Sequence, residues 1–143
     1  MITKTATAHW TGGLKDGKGQ ISTQSGALKD QPYGFNTRYE DKPGTNPEEL
    51  IGAAHAGCFS MALSMILGTY DAEADDIDTK ATVGLEDADG GFAITKIHLD
   101  LTAKVPGISE NDFLEAANTA KENCPVSKVL VAAEITLDAK LVG

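Results

Sequence analysis

The chain has 143 residues, 41% of them hydrophobic and 23% charged, so one domain over residues 1–143 is expected to bury a core without disulfide or metal staples. Its formal net charge of -9 argues against nucleic acid or an anionic membrane as a partner, since both require clusters of Lys and Arg. Met1 to Trp10 alternates polar and apolar residues and lacks the apolar run of a signal peptide, so the expected compartment is the cytoplasm. Cysteines there are more often reduced, catalytic or metal-binding than structural bridges.

Thr5 to Thr11 alternates as a strand, with Ala6, Ala8 and Trp10 on one face. Gly12-Gly13 and the stretch from Lys15 to Gly19 supply turn chemistry, and a second strand is expected from Gly19 to Thr23. A loop containing Pro32 follows. A third strand is expected from Gly34 to Glu40. After a polar loop, Asn46 is a natural N-cap, Pro47 fits the first helical position, and Glu48 and Glu49 complement the positive end of the helix dipole. Glu49 also stands where a capping box needs it, with Asn46 in place of Ser or Thr. This helix is expected to run to about Leu67 and stop at Gly68. Its Gly and Ala content, with His55, Ser60 and Ser64, points to a buried helix and not a membrane span.

Ile77 to Glu86 reads as a strand, the run from Asp87 to Gly91 as a hairpin turn, and Phe92 to Lys104 as a longer strand that ends at Pro106-Gly107. Ser109 caps a second helix to about Asn123, with Phe113, Leu114, Ala117 and Ala120 along its apolar stripe. Cys124-Pro125 opens a short helical turn, and Ala133 to Leu141 forms the last strand. The order predicts an α+β fold with antiparallel sheets.

The two cysteines are too far apart in sequence for a CxxC motif. Cys58 falls in the middle of the long helix, where an ordinary core thiol would look the same. To act as a nucleophile it needs a nearby positive charge. The helix dipole cannot supply one, because its effect fades within the first turn. Cys124 directly precedes Pro125 at the expected start of a helical turn, where backbone N–H groups suit a thiolate; a helix-ending cysteine of no special role fits equally well. His55 shares a helix face with Cys58, a pairing that would serve acyl transfer or a metal. Neither His9 nor His98 shows ligand spacing, so no metal is expected and His55 reads as a packing or interface residue. No dinucleotide or phosphate-binding glycine motif is present.

The run Thr45-Asn46-Pro47-Glu48-Glu49-Leu50-Ile51-Gly52-Ala53-Ala54-His55-Ala56-Gly57-Cys58-Phe59-Ser60-Met61-Ala62 closely resembles the OsmC family, the osmotically inducible hydroperoxide peroxidases of bacteria. Gln31 to Arg38, Gly91 to Ile97 and Cys124-Pro125-Val126-Ser127 resemble other signatures of that family, in the same order. The Pro-Tyr-Gly-Phe-Asn-Thr-Arg context favours the OsmC branch over the organic hydroperoxide resistance branch, whose arginine lies elsewhere in the chain.

The resemblance implies a peroxidatic cysteine at Cys58, a resolving cysteine at Cys124, an active-site arginine at Arg38 and an acidic partner at Glu48. It further implies an intertwined homodimer built around a long central buried helix, with active sites at the subunit interface. The substrate would be an organic hydroperoxide and, less well, hydrogen peroxide. The reductant would be a dithiol of lipoyl type, or an added thiol. No metal, haem or flavin is called for, and the role would be oxidative and osmotic stress defence. Glu48 and Cys58 lie about 15 Å apart along one helix, at about 1.5 Å per residue. Glu48 is therefore expected to steady an arginine across the dimer interface, or to act only indirectly within its own subunit. Gly52, Ala53, Ala56 and Gly57 suit close helix approach at that interface, or simple packing under a sheet. Phe35, Phe59, Met61 and Met65 are candidates for an apolar entrance, or for core. The competing readings are a protein disulfide oxidoreductase, a non-enzymatic domain with inert thiols, and a Cys-His hydrolase.

Overall fold

The structure is a computed structural model that describes residues 1–143. The chain divides into two units, Met1–Leu50 and Ile51–Gly143. In the first, β1 (Ala6–Thr11), β2 (Lys18–Thr23) and β3 (Gln31–Tyr33) form an antiparallel sheet in the order β1-β2-β3. Gly19 on the middle strand faces both Trp10 and Tyr33 in register. A Cβ there would come within 2.7 Å of the Trp10 ring, and its absence lets the two rings meet with centroids 5.4 Å apart.

Two expectations fail in this unit. Pro32 lies within β3 and not in a loop; β3 is an edge strand, where a missing N–H leaves no ladder bond unmade. The segment expected as a strand from Gly34 to Glu40 is instead a short helix, α1 (Phe35–Tyr39). Phe35, Thr37 and Tyr39 alternate with polar residues as a strand would, but local hydrogen bonds win. The buried Thr37 hydroxyl donates to the Gly34 carbonyl at 3.0 Å and accepts from the Gly34 N–H at 2.8 Å.

α2 (Pro47–Gly68) opens at the end of the first unit and continues into the second. Its start follows the capping chemistry. Asn46 Oδ1 accepts from the Glu49 N–H at 2.8 Å, and Asn46 Nδ2 donates back to the Glu49 carboxylate.

In the second unit, β4 (Asp76–Ala88), β5 (Gly91–Lys104) and β6 (Glu134–Val142) form a sheet in the order β4-β5-β6. β4 and β5 are an antiparallel hairpin closed by Asp89-Gly90, whose φ values of 50° and 83° are those of a left-handed two-residue turn. β6 pairs parallel to β5, with Leu99 opposite Leu137, so this sheet is mixed and the expectation of antiparallel sheets holds for the other pairings only. The reason is the connection. α3 (Glu110–Asn123) and α4 (Pro125–Val129) lie between β5 and β6, and a crossover through helices returns the chain to run in the same direction.

Ile97, Leu99, Leu101 and Ala103 alternate inward along β5. Leu99, Leu101 and Ala103 pack in one core with Phe59, Leu63 and Leu67 of α2 and Phe113, Ala116, Ala117 and Ala120 of α3. By length and composition alone, α2 is long and apolar enough to cross a membrane. Its Gly52, His55, Phe59, Leu63 and Leu67 stripe is buried, as in a core helix. Within one chain it is not buried all round, because Met61 and Met65 stand exposed.

Candidate active site

Both cysteines belong to the second unit and both are free. Cys58 is half-buried on α2, one residue before the core Phe59. Cys124 is fully buried between α3 and α4, where its Sγ caps α4 by accepting from the Ser127 N–H at 3.3 Å. Cys58 packs against the buried cluster that contains Cys124, and its thiol is within reach of the Cys124 thiol and the Val126 backbone N–H. Burial pushes the Cys58 thiol up from its ordinary value, the Val126 N–H pulls it partly back, and the Cys124 thiol pushes it up again. No cation is among the groups acting on it. The need for an external positive charge, read from the sequence, therefore persists inside this unit.

Of the packing and interface roles expected for His55, its burial in the second unit fits packing, with a polar contact added. It is fully buried, and its Nε2 lies 2.7 Å from the Ser127 hydroxyl. Ser127 Oγ in turn accepts from the Cys124 thiol at 3.1 Å. Burial holds the His55 imidazole below its ordinary pKa, and its Nδ1 is buried without a hydrogen-bond partner. Sequence reading missed Ser127. The available signal was its position three residues after Cys124, on the first turn of the helix that the cysteine caps.

Arg38 and Glu48 belong to the first unit, and they pair with each other in the same chain. Arg38 Nε donates to Glu48 Oε1 at 2.9 Å and more weakly to Oε2 at 3.3 Å, and Arg38 Nη2 lies 2.8 Å from Oε1. The expectation that Glu48 steadies an arginine across the interface, or acts only indirectly in its own subunit, is thus corrected. The reason is the helical turn at α1 and the fold-back of the loop behind it. Asn46 Nδ2 donates to the Thr37 carbonyl at 3.1 Å, and Thr45 N donates to the Pro32 carbonyl at 2.9 Å, which brings the first turn of α2 beside Arg38. The Glu48 hydrogen bond raises the Arg38 pKa above its already high ordinary value, against the opposing effect of burial.

Beside Arg38, Trp10, Leu14, Tyr33, Phe35, Tyr39 and Pro47 line a cavity of about 180 Å3. Phe35 therefore lines an apolar recess, whereas Phe59 is core and not entrance. On the outer face of the second sheet, the parallel register brings His98, Asp100 and Asp138 within 4.8 Å of one another, a grouping invisible in the sequence spacing.

An α+β fold that brings two free thiols into one core, one of them capping a helix, is the arrangement of a dithiol protein. The family model described as OsmC-like protein matches residues 39–140, and the chain belongs to that family. Over 140 residues it is 58% identical to the protein named Peroxiredoxin OsmC of Escherichia coli, covering 98% of this chain and 97% of that one. It is 32% identical over 124 residues to the organic hydroperoxide resistance protein OhrB of Bacillus subtilis, covering 86% of this chain and 87% of the relative. Among solved structures, the organic hydroperoxide resistance protein OsmC of Legionella pneumophila superposes with a TM-score of 0.72 at 25% identity, over 98% of both chains.

Proposed function

We infer that the chain is a thiol-dependent hydroperoxide peroxidase that works through a Cys58 sulfenic acid resolved by Cys124. The activity is that of a cysteine-based oxidoreductase, supported by near full-length identity to a peroxiredoxin. The observation that carries the mechanism is the packing of two free thiols of unequal exposure into one core, Cys58 half-buried and Cys124 fully buried. The more accessible sulfur meets the peroxide, and the buried one waits behind it.

In this reading the Cys58 thiolate attacks one peroxide oxygen and releases an alcohol or water. The resulting sulfenic acid condenses with Cys124 to a disulfide and water. A dithiol reductant, for which a lipoyl-type compound is proposed, restores both thiols by exchange. Arg38 supplies the positive charge that Cys58 lacks in its own unit, and its guanidinium cannot be titrated away. The same fork would orient the peroxide and favour charge developing on the leaving oxygen. Glu48 fixes that fork through its two-oxygen grip. The aromatic recess beside Arg38 would take the organic part of the substrate, which supports organic hydroperoxides over hydrogen peroxide. The chain is proposed to act as one OsmC-like domain over residues 1–143, as an intertwined homodimer in the cytoplasm. The exposed apolar side chains Met61 and Met65 on α2 support such a partner.

Intact-protein mass after one equivalent of cumene hydroperoxide tests the mechanism, with wild type beside Cys58→Ser and Cys124→Ser. The expected results are loss of two hydrogens in wild type, a sulfenic or overoxidised species in Cys124→Ser, and no change in Cys58→Ser. Wild type that keeps both thiols under excess peroxide would refute the reading. Oxidation that requires a disulfide-bearing protein instead of peroxide would point to a disulfide oxidoreductase.

A further inference from the structure

The peroxidase reading leaves one buried group without a task. His55 is fully enclosed, one ring nitrogen is unpaired, and burial disfavours its charged form. A half-satisfied buried imidazole is a poor choice for packing alone, since an apolar residue of similar volume would leave no orphaned polar atom. Its other nitrogen lies 2.7 Å from Ser127 Oγ, and that oxygen lies 3.1 Å from Cys124 Sγ. The hydrogen-bond directions are mutually consistent. With the Cys124 thiol donating to Ser127, the Ser127 hydroxyl is free to donate to His55 Nε2, and the imidazole keeps its own proton on Nδ1. All three groups lie in the second unit, and the line ends at the sulfur that must lose a proton when the disulfide closes.

We propose that His55 and Ser127 form a proton relay that takes up the Cys124 thiol proton during disulfide closure. This rests on the reading of Cys124 as the resolving cysteine. In the step, Cys124 Sγ attacks Cys58 Sγ of the sulfenic acid. The S–S bond forms and the S–O bond breaks, its electron pair leaving with oxygen as hydroxide, which takes a proton from solvent to become water. The Cys124 proton passes to Ser127 Oγ while the Ser127 proton passes to His55 Nε2. The imidazolium then releases one proton to solvent. The sum is one sulfenic acid and one thiol converted to one disulfide and one water, with no other reagent.

Ser127 touches the reacting sulfur and is the catalytic member. His55 acts through Ser127 and is a positioning residue and proton reservoir. A neutral imidazole is required at the start, and burial keeps it neutral; no charged side chain is among the causes of its shift. The Ser127 N–H bond to Cys124 Sγ, at 3.3 Å, would remain to stabilise the sulfur as its proton leaves.

The test follows one turnover by rapid mixing with cumene hydroperoxide, acid quench and intact mass, which separates sulfenic acid formation from disulfide closure. In Ser127→Ala, closure is expected to slow about a hundredfold relative to the oxidation step, the lower end of what a positioned proton acceptor contributes. His55→Gln separates a relay from a scaffold, because glutamine can still hydrogen-bond Ser127 but has no basic nitrogen. The relay predicts slow closure in His55→Gln, and closure within about twofold of wild type would overturn it. A measurement on wild type decides the matter even if a variant fails to fold: closure is expected to slow in deuterium oxide relative to oxidation, and an equal ratio in the two waters would refute the relay. Wild type that forms no disulfide at all would instead refute the assignment of Cys124 itself.

Discussion

Glu48→Gln puts the grip on Arg38 to a quantitative test. Glutamine retains one acceptor oxygen and replaces the other with an amide that cannot accept. The wild-type pair has Arg38 Nε at 2.9 and 3.3 Å from the two carboxylate oxygens and Nη2 at 2.8 Å from Oε1. A hydrogen bond to a charged group contributes about 1.5–3 kcal/mol when well shielded. Here the two side chains are 35% and 12% exposed, so solvent screens part of the interaction and about 1–2 kcal/mol of positioning is expected to be lost. At about 1.4 kcal/mol per tenfold, the rate constant for Cys58 oxidation should fall by about 5- to 30-fold. Single-turnover oxidation by cumene hydroperoxide, read as loss of free thiol, measures it directly. Unfolding stability should change by no more than about 1 kcal/mol, because partly exposed pairs contribute little. A Glu48→Gln rate equal to wild type, with Arg38→Ala inactive, would show that the guanidinium is held by something other than Glu48.

The pH dependence of Cys58 alkylation tests where its activating charge comes from. Burial and the Cys124 thiol raise the Cys58 pKa, so in Arg38→Ala the iodoacetamide rate should climb only at pH above the ordinary thiol range; in wild type the midpoint should lie lower, and coincident midpoints would remove Arg38 from that role. Burial lowers the folded-state pKa of His55, so as pH falls below its unfolded value of about 6.5 the unfolded chain gains a proton first and stability declines until the folded value is passed. His55→Gln should flatten that part of the denaturation-midpoint profile, and an unchanged slope would contradict the buried neutral imidazole. Phe59→Ala deletes a fully buried ring and should cost about 3–5 kcal/mol of unfolding free energy by urea titration.

The fate of α1 and α2 separates what short-range chemistry can say from what it cannot. The start of α2 was legible to the residue because it is written in adjacent groups: a cap at Asn46, a proline at the first position, and acids in the first turn. α1 was not, because five residues are too few for a periodicity, and Phe35, Thr37 and Tyr39 alternate as a strand would. Its choice of helix rests on a Thr37 hydroxyl folding back on Gly34. The hairpin turn was legible from Asp89-Gly90, but nothing in the sequence of β6 distinguishes a parallel from an antiparallel neighbour.

For the site, the resemblance to one family points to Cys58, Cys124, Arg38 and Glu48 as candidates, since each sits in a run of neighbours that resembles that family. The sequence by itself also determined the acidic charge, which is a matter of composition, and the caps of the helices, which follow from interactions between residues close along the chain. Only the tertiary structure decided the parallel register of β6, the pairing of Glu48 with Arg38 in its own chain, and the line from Cys124 through Ser127 to His55. Partners as far apart as His55 and Ser127, separated by 72 residues, are brought together by the packing of whole elements, and no local pattern of side chains records that packing.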